Sequence, residues 1–230
     1  SRTWDDRLVP VTGIIVAPKG PSAAARPVIN WEHGTTGTAR VSAPSLAPNP
    51  AQELVERSSS APIDYGVPYL YDFLKRGFVV AATDYYGLGG PGVHQYFVGA
   101  TAARNGLDIA RAARNLSDTG AGSEVITVGW SQGGHAALFT GEEQPSYASD
   151  LNQRGIVAIA PGTTAGIKYV NIPHIYLTMR SYESAYYAPL TGLTSQGRVL
   201  VDKAGQSSVT GVFQEAAKMT GPFFTGDWDR

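Results

Sequence analysis

The chain contains no cysteine, which excludes disulfides, a thiol nucleophile and cysteine-ligated metal. Its absence does not decide the compartment, because exported bacterial proteins often lack cysteine as well. No apolar run approaches the roughly 18 residues of a membrane span, so no transmembrane segment is expected. Basic residues never cluster, and the formal net charge is −1. Nothing in that balance suggests nucleic acid or an anionic membrane as partner. The histidines are His33, His94, His135 and His174, and no pair has metal-ligand spacing. No metal site and no cofactor are therefore expected. Internal repeats and low-complexity segments are absent too. The chain opens at Ser1 without methionine or a signal-like stretch, which reads as a leader removed or an end trimmed.

Glycine is what the sequence has in abundance, with 27 in 230 residues. One short stretch, "VGWSQGGH" at 128–135, sets Ser131 between Gly129 and Gly133. In a chain this rich in glycine and serine, such spacing arises by chance roughly one time in five. Context decides its meaning. Val125 to Gly129 reads as a buried strand and Gln132 to Thr140 as a helix, so Ser131 falls on the turn between them. A nucleophile elbow forces its serine to positive φ, and only glycine leaves room two residues to either side. A helix-start turn capped by Ser131 is the bland alternative, and the strand before it disfavours that.

The remaining elements follow from pattern. Leu8 to Ala17 reads as one or two strands interrupted at Pro10, Val28 to Trp31 as a short buried strand, and Phe78 to Thr83 as a strand covered on both faces. Residues 41–62, with four prolines, read as a surface excursion carrying a short helix near Gln52–Arg57. Val67 to Arg76 reads as a helix closed by Gly77, Ala102 to Leu116 as another, and Gly155 to Ala160 as a strand. This alternation from 67 to 160 predicts a mostly parallel sheet with helices on both faces. After Pro161 it fails, leaving helix-like stretches near 182–188 and 209–219.

An ester-cleaving serine needs stabilisation of an oxyanion. The Gln132 N–H at the helix start is one donor, and the loop His33-Gly34-Thr35-Thr36-Gly37 after the second strand can supply the other through Gly34 or Thr35. Between Asp84 and Gly99 lies a loop with five glycines and four aromatics. His33, Tyr85 and Tyr86 are the expected pocket residues, and Tyr96, Phe97, Tyr182, Tyr186, Tyr187, Phe213, Phe223, Phe224 and Trp228 are further aromatics able to line an acyl pocket or simply to pack. Asp84 reads as a turn-stabilising or pocket residue, and His135, one turn into the helix, as packing beneath the elbow.

Three motifs in this order, "WEHGTTG", "ATDYYGLGGPGVHQYFVG" and "VGWSQGGHAAL", resemble the secretory lipase family of α/β-hydrolases, over about residues 11–162. The resemblance implies an α/β-hydrolase fold, Ser131 as nucleophile, Gln132 and the His33–Thr35 loop as oxyanion region, an ester or lipid substrate, a secreted or extracytoplasmic location, and a helical lid after the sixth strand. Residues 1–162 are then the core and 163–230 the lid. In that fold the carboxylate and histidine of the triad follow on later strands, and no such strands are visible after Ala160. The expectation is therefore that the last β/α units, with the Asp and His, lie in a C-terminal fragment outside this chain, and that the edge beside Gly155–Ala160 is exposed or filled by another polypeptide. A peptidase or acyltransferase on the same fold, or a non-catalytic binding protein, are the alternatives.

Overall fold

The computed structural model describes residues 1–53, 66–162, 192–223 and 225. Five strands form one sheet in the order β1-β3-β2-β4-β5, with β1 Gly13–Val16, β2 Arg26–Glu32, β3 Val79–Thr83, β4 Ala121–Trp130 and β5 Asn152–Ile159. All neighbours run parallel except β1, which pairs antiparallel with β3. The helices are α1 Leu70–Lys75, α2 Gly99–Asn115, α3 Gln132–Tyr147, α4 Ser195–Ala204 and α5 Val209–Ala216.

The strands alternate sides residue by residue, and the two faces bury different partners. Val28, Val79, Ala81 and Val125 pack against Leu107, Ala110 and Ala113 of α2 and against Ala148 and Leu151. Ile29, Trp31, Val80 and Ala82 face the other way, toward Leu70 and Val67, with Phe73 and Leu74 of α1 against them. The small alanines of α2 let the helix lie close to the sheet. That closeness reaches its limit at Gly106, where a Cβ would stand 1.8 Å from Glu32 Oε1 and 2.8 Å from Asn30 Nδ2.

Several elements depart from the sequence expectation for local reasons. Only Gly13–Val16 of the Leu8–Ala17 stretch is in the sheet, while Leu8 forms a lone bridge with Arg2. Pro10 between them has no N–H to give a ladder. α1 begins at Leu70 instead of Val67, because Val67 bridges Glu53 and Tyr69 has a φ of 55°. α3 continues past Thr140 to Tyr147. α4 was not anticipated, although Thr194 caps it, its side chain accepting from Gly197 N at 3.1 Å. Gln52 and Glu53 are not helical. The rest of that expected helix, and the one near 182–188, lie outside the described residues.

β5 pairs with β4 on one side and has no partner on its other edge among the described residues. Its Ile156, Val157 and Ile159 are exposed, so neither face of this strand is fully covered. At the far end, α4 and α5 pack on each other through Leu200, Ala204 and Val212, and Phe223 joins that cluster while Phe213 is exposed.

The close approach of α2 to β2 yields a direct test. Gly106→Ala gains about 1 kcal/mol of helix propensity, but its methyl overlaps the Glu32 carboxyl. The expected net result is a loss of about 2 kcal/mol in urea unfolding. An unchanged midpoint would mean that α2 stands further from the sheet.

Candidate active site

β2 and β4 are neighbours, with Glu32 opposite Gly129. The chain leaves β2 toward β3 on one side and returns to β4 on the other, so the ends of these two strands flank a topological switch point, where α/β sheets open a crevice. Two loops meet there: residues 33–38 after β2, and the turn at Ser131 after β4.

Ser131 joins β4 to α3 with φ 57° and ψ −114°, a conformation that costs a non-glycine residue about 1–3 kcal/mol. Its backbone is held from both sides. Ser131 N–H donates to Ile159 O at 3.0 Å, and Ser131 O accepts from Gly162 N at 2.8 Å and His135 N at 3.1 Å. The flanking glycines leave no space for side chains. A Cβ on Gly129 would stand 2.0 Å from Gly133 O, and one on Gly133 would stand 1.8 Å from Glu32 O and 2.7 Å from His33 O. The first turn of α3 therefore presses directly on the start of the 33–38 loop.

Gln132 opens α3 and is buried. The first N–H groups of a helix lack intrahelical acceptors and carry the positive end of its dipole. Its side chain is pinned: Nε2 donates to His94 Nε2 at 2.8 Å, and His94 Nδ1 donates to Tyr86 O at 2.9 Å. The opposite loop is braced by buried polar groups. Tyr85 OH donates to His33 O at 3.0 Å, and Thr35 Oγ1 pairs with Tyr96 OH at 2.7 Å. Burial holds His33 below its ordinary pKa, so the neutral ring spends its single N–H on the 2.6 Å contact from Nδ1 to Gly34 O. α4 and α5 reach this loop too. Val209 N donates to Thr36 O at 2.8 Å, Thr38 Oγ1 donates to Ala204 O at 3.1 Å, and Gly37 bridges Ser208.

Ser131 and Gln132 thus follow β4, and Gly34 and Thr35 follow β2, at the level ends of two neighbouring strands. His33 and Tyr85 are buried, and their polar atoms bond to the backbone of the loops beside Ser131. Tyr86 lies on its own loop, where a Cβ at Gly92 would stand 2.3 Å from its hydroxyl. Asp84 ends β3 as a staple, accepting from Ser45 N at 2.8 Å, Ser45 Oγ at 2.5 Å and Thr12 Oγ1 at 2.7 Å. His135 packs between the Phe97 and Phe139 rings, its Nε2 buried and making no well-formed hydrogen bond among the described residues. Burial lowers its pKa. His174, Tyr182, Tyr186, Tyr187, Phe224 and Trp228 lie outside the described residues.

The sequence reading missed the pairing of Gln132 with His94. A histidine seven residues beyond a glycine in a long loop carried no periodic signal. It also missed Glu32, fully buried between β2 and α2, although a glutamate closing an apolar strand was the available hint.

The elbow geometry can be tested by adding one carbon. Gly133→Ala should lose about 3 kcal/mol or more, because its obstacle is backbone and cannot rotate away. Gly155→Ala, with nothing within 4 Å, should stay within about 0.5 kcal/mol of the parent. Equal midpoints for the two variants in chemical denaturation would contradict the described contact.

Comparisons with known proteins bear on the fold and the family. A family profile described as secretory lipase matches residues 55–197. No curated protein matches. Among solved structures, the rice cell wall degrading esterase LipA from Xanthomonas oryzae superposes with a TM-score of 0.65 at 19% identity, covering 94% of this chain and 61% of its own. The closed state of Candida antarctica lipase A gives 0.67 at 18% identity, covering 96% of this chain and 52% of that one. The chain therefore spans little more than half the length of these neighbours.

Proposed function

The chain belongs to the secretory lipase family and has an α/β-hydrolase fold, and on that premise we propose that it is the nucleophile-bearing part of a carboxylic ester hydrolase. Ser131 Oγ adds to the ester carbonyl carbon as its proton passes to a base. The oxyanion is received by the Gln132 N–H and by the N–H of Gly34 or Thr35. Collapse expels the alcohol, and water then releases the acid from the acyl-serine. The carrying observation is the Ser131 backbone: a strained φ of 57° kept between two glycines that admit no side chain. A mere helix cap has no use for that strain.

Among the described residues the histidines are engaged elsewhere. His33 and His94 are engaged with Gly34 O and Gln132, and His135 lies between two phenylalanine rings. In our reading the histidine and acid come from further β/α units added alongside β5, whose edge, unpaired among the described residues, and exposed Ile156, Val157 and Ile159 suit such an addition. Residues 1–162 are then core and 163–230 cap. The family description favours an extracellular location and an ester or lipid substrate. No helix among the described residues is long and apolar enough to cross a membrane. The engagement of the described histidines also favours a second reading, a non-catalytic binding protein on a hydrolase frame.

A fluorophosphonate probe applied to the complete enzyme separates the two. Under the first reading it modifies Ser131, and Ser131→Ala abolishes the adduct while leaving the unfolding curve in place. Turnover of p-nitrophenyl esters by the complete enzyme should then fall by roughly 10³-fold or more in Ser131→Ala. Absence of any adduct at Ser131 would favour the binding protein. A peptidase or acyltransferase would show the adduct but little release of p-nitrophenol to water.

A further inference from the structure

The proposed oxyanion donors stand on different elements, Gln132 on α3 and Gly34 or Thr35 on the loop after β2, and a third element ties to both. That element is the loop between β3 and α2. It turns back on itself at Gly87, whose φ is 84° and where a Cβ would stand 2.2 Å from His94 N. The turn brings His94 inward, and Tyr85, His94 and Tyr96 are all buried. The His94 ring stacks on Tyr85 at 5.7 Å and tilts against Tyr96 at 6.0 Å. Each of the three reaches a different part of the site. Tyr85 OH donates to His33 O at 3.0 Å, Tyr96 OH pairs with Thr35 Oγ1 at 2.7 Å, and His94 Nε2 accepts from Gln132 Nε2 at 2.8 Å.

The partners fix the state of the imidazole. Tyr86 O can only accept, so the 2.9 Å contact puts a proton on Nδ1. The Gln132 amide nitrogen can only donate, so Nε2 presents its lone pair. Turning the amide over would require protons on both ring nitrogens and so bury a charge. Gln132 Oε1 is buried and makes no well-formed hydrogen bond among the described residues, so there the bond to His94 is the one that the amide has. Without that acceptor its N–H groups would be buried and unpaired, which is costly enough to move the side chain. This side chain leaves from the same residue whose main-chain N–H faces the oxyanion.

We propose that His94 is a positioning residue for ester cleavage: as the neutral Nδ1–H tautomer it holds the Gln132 amide through its Nε2 lone pair, and so sets the first N–H of α3 against the loop that carries the facing donor. Its action passes through Gln132. The proposal rests on reading Gln132 and residues 33–35 as the oxyanion donors, but the bond itself is tested without turnover.

Two substitutions separate the bond from the bulk of the ring. His94→Gln keeps an acceptor near the position of Nε2, whereas His94→Phe keeps a ring and loses the acceptor. In the complete enzyme, His94→Phe should lower kcat for p-nitrophenyl esters about tenfold or more with KM within about twofold, and His94→Gln should recover most of that loss. A histidine needed only for packing would give the opposite order. Gln132→Met removes the amide at similar length, and in that background His94→Phe should change kcat by less than about threefold. An unchanged kcat in His94→Phe, an equal loss in His94→Gln, or the same loss with and without Gln132→Met would overturn the proposal. Nitrogen-15 spectra of the parent at roughly pH 8 give a readout that needs no activity. The His94 resonances, assigned by their loss in His94→Gln, should show Nδ1 protonated and Nε2 as an accepting nitrogen that shifts in Gln132→Met. A protonated Nε2, or no shift in Gln132→Met, would overturn the proposal even where His94→Phe folds poorly. Absence of any adduct at Ser131 would remove the hydrolase reading and this role with it, whereas an intact adduct with the wrong kinetic order would remove the role alone.

Discussion

Three pieces of backbone share less space at the Ser131 crevice than any side chain would allow, and the site depends on that. The end of β2, the last residues of β4 and the first turn of α3 approach so closely that Gly129 and Gly133 have carbonyl groups where their Cβ atoms would be. The parallel register that sets Glu32 opposite Gly129 fixes the two strand ends level with each other. Given that register, the chain turns into α3 within one residue, and the left-handed φ of Ser131 is the geometric cost. The strain is sustained because Ile159 and Gly162 hold the Ser131 backbone from the β5 side.

What was legible in the sequence was whatever periodicity or sterics imprint locally. The alternation of Val28 with Ile29 and of Val79 with Val80 announced strands covered on both faces, and the two cores divide along it. Gly129-x-Ser131-x-Gly133 announced the elbow because the crowding there has only one cheap solution. The bonds from His33 and Tyr85 to the backbone were not legible. An imidazole or a phenol in a glycine-rich loop reads the same whether it faces a crevice or turns inward. The direction was settled by long-range partners, such as His33 O for the Tyr85 hydroxyl, that no local pattern reveals. α4 escaped for a related reason: its apolar stripe faces α5 and not the sheet, and it carries Gly197 in its first turn.

The polar residues around the crevice show how an irregular loop is made rigid. Residues 33–38 and 84–98 form no ladder, so their buried backbone groups must find partners among side chains. Tyr85, His94, Asn105 and Asp84 do this work, each bonding to main-chain atoms: His33 O, Tyr86 O, Tyr86 N and Ser45 N. Residue types that look chemical in a sequence are here spent on holding the backbone still. For the proposed oxyanion donors that stillness matters, because a site that must rearrange during reaction loses most of its advantage.

The contact between the 33–38 loop and the α4–α5 pair joins parts of the chain 166 residues apart, as in the bond from Thr38 to Ala204. Contacts of such separation form late, because the intervening loop must close before they contribute. On a ribosome, Thr36 and Thr38 emerge long before Ala204 and Val209 exist. The nascent protein can assemble its sheet and elbow while the facing loop still lacks its outer support. The crevice is thus finished last, from its C-terminal side, and a chain interrupted before residue 195 would carry the serine without the frame opposite it.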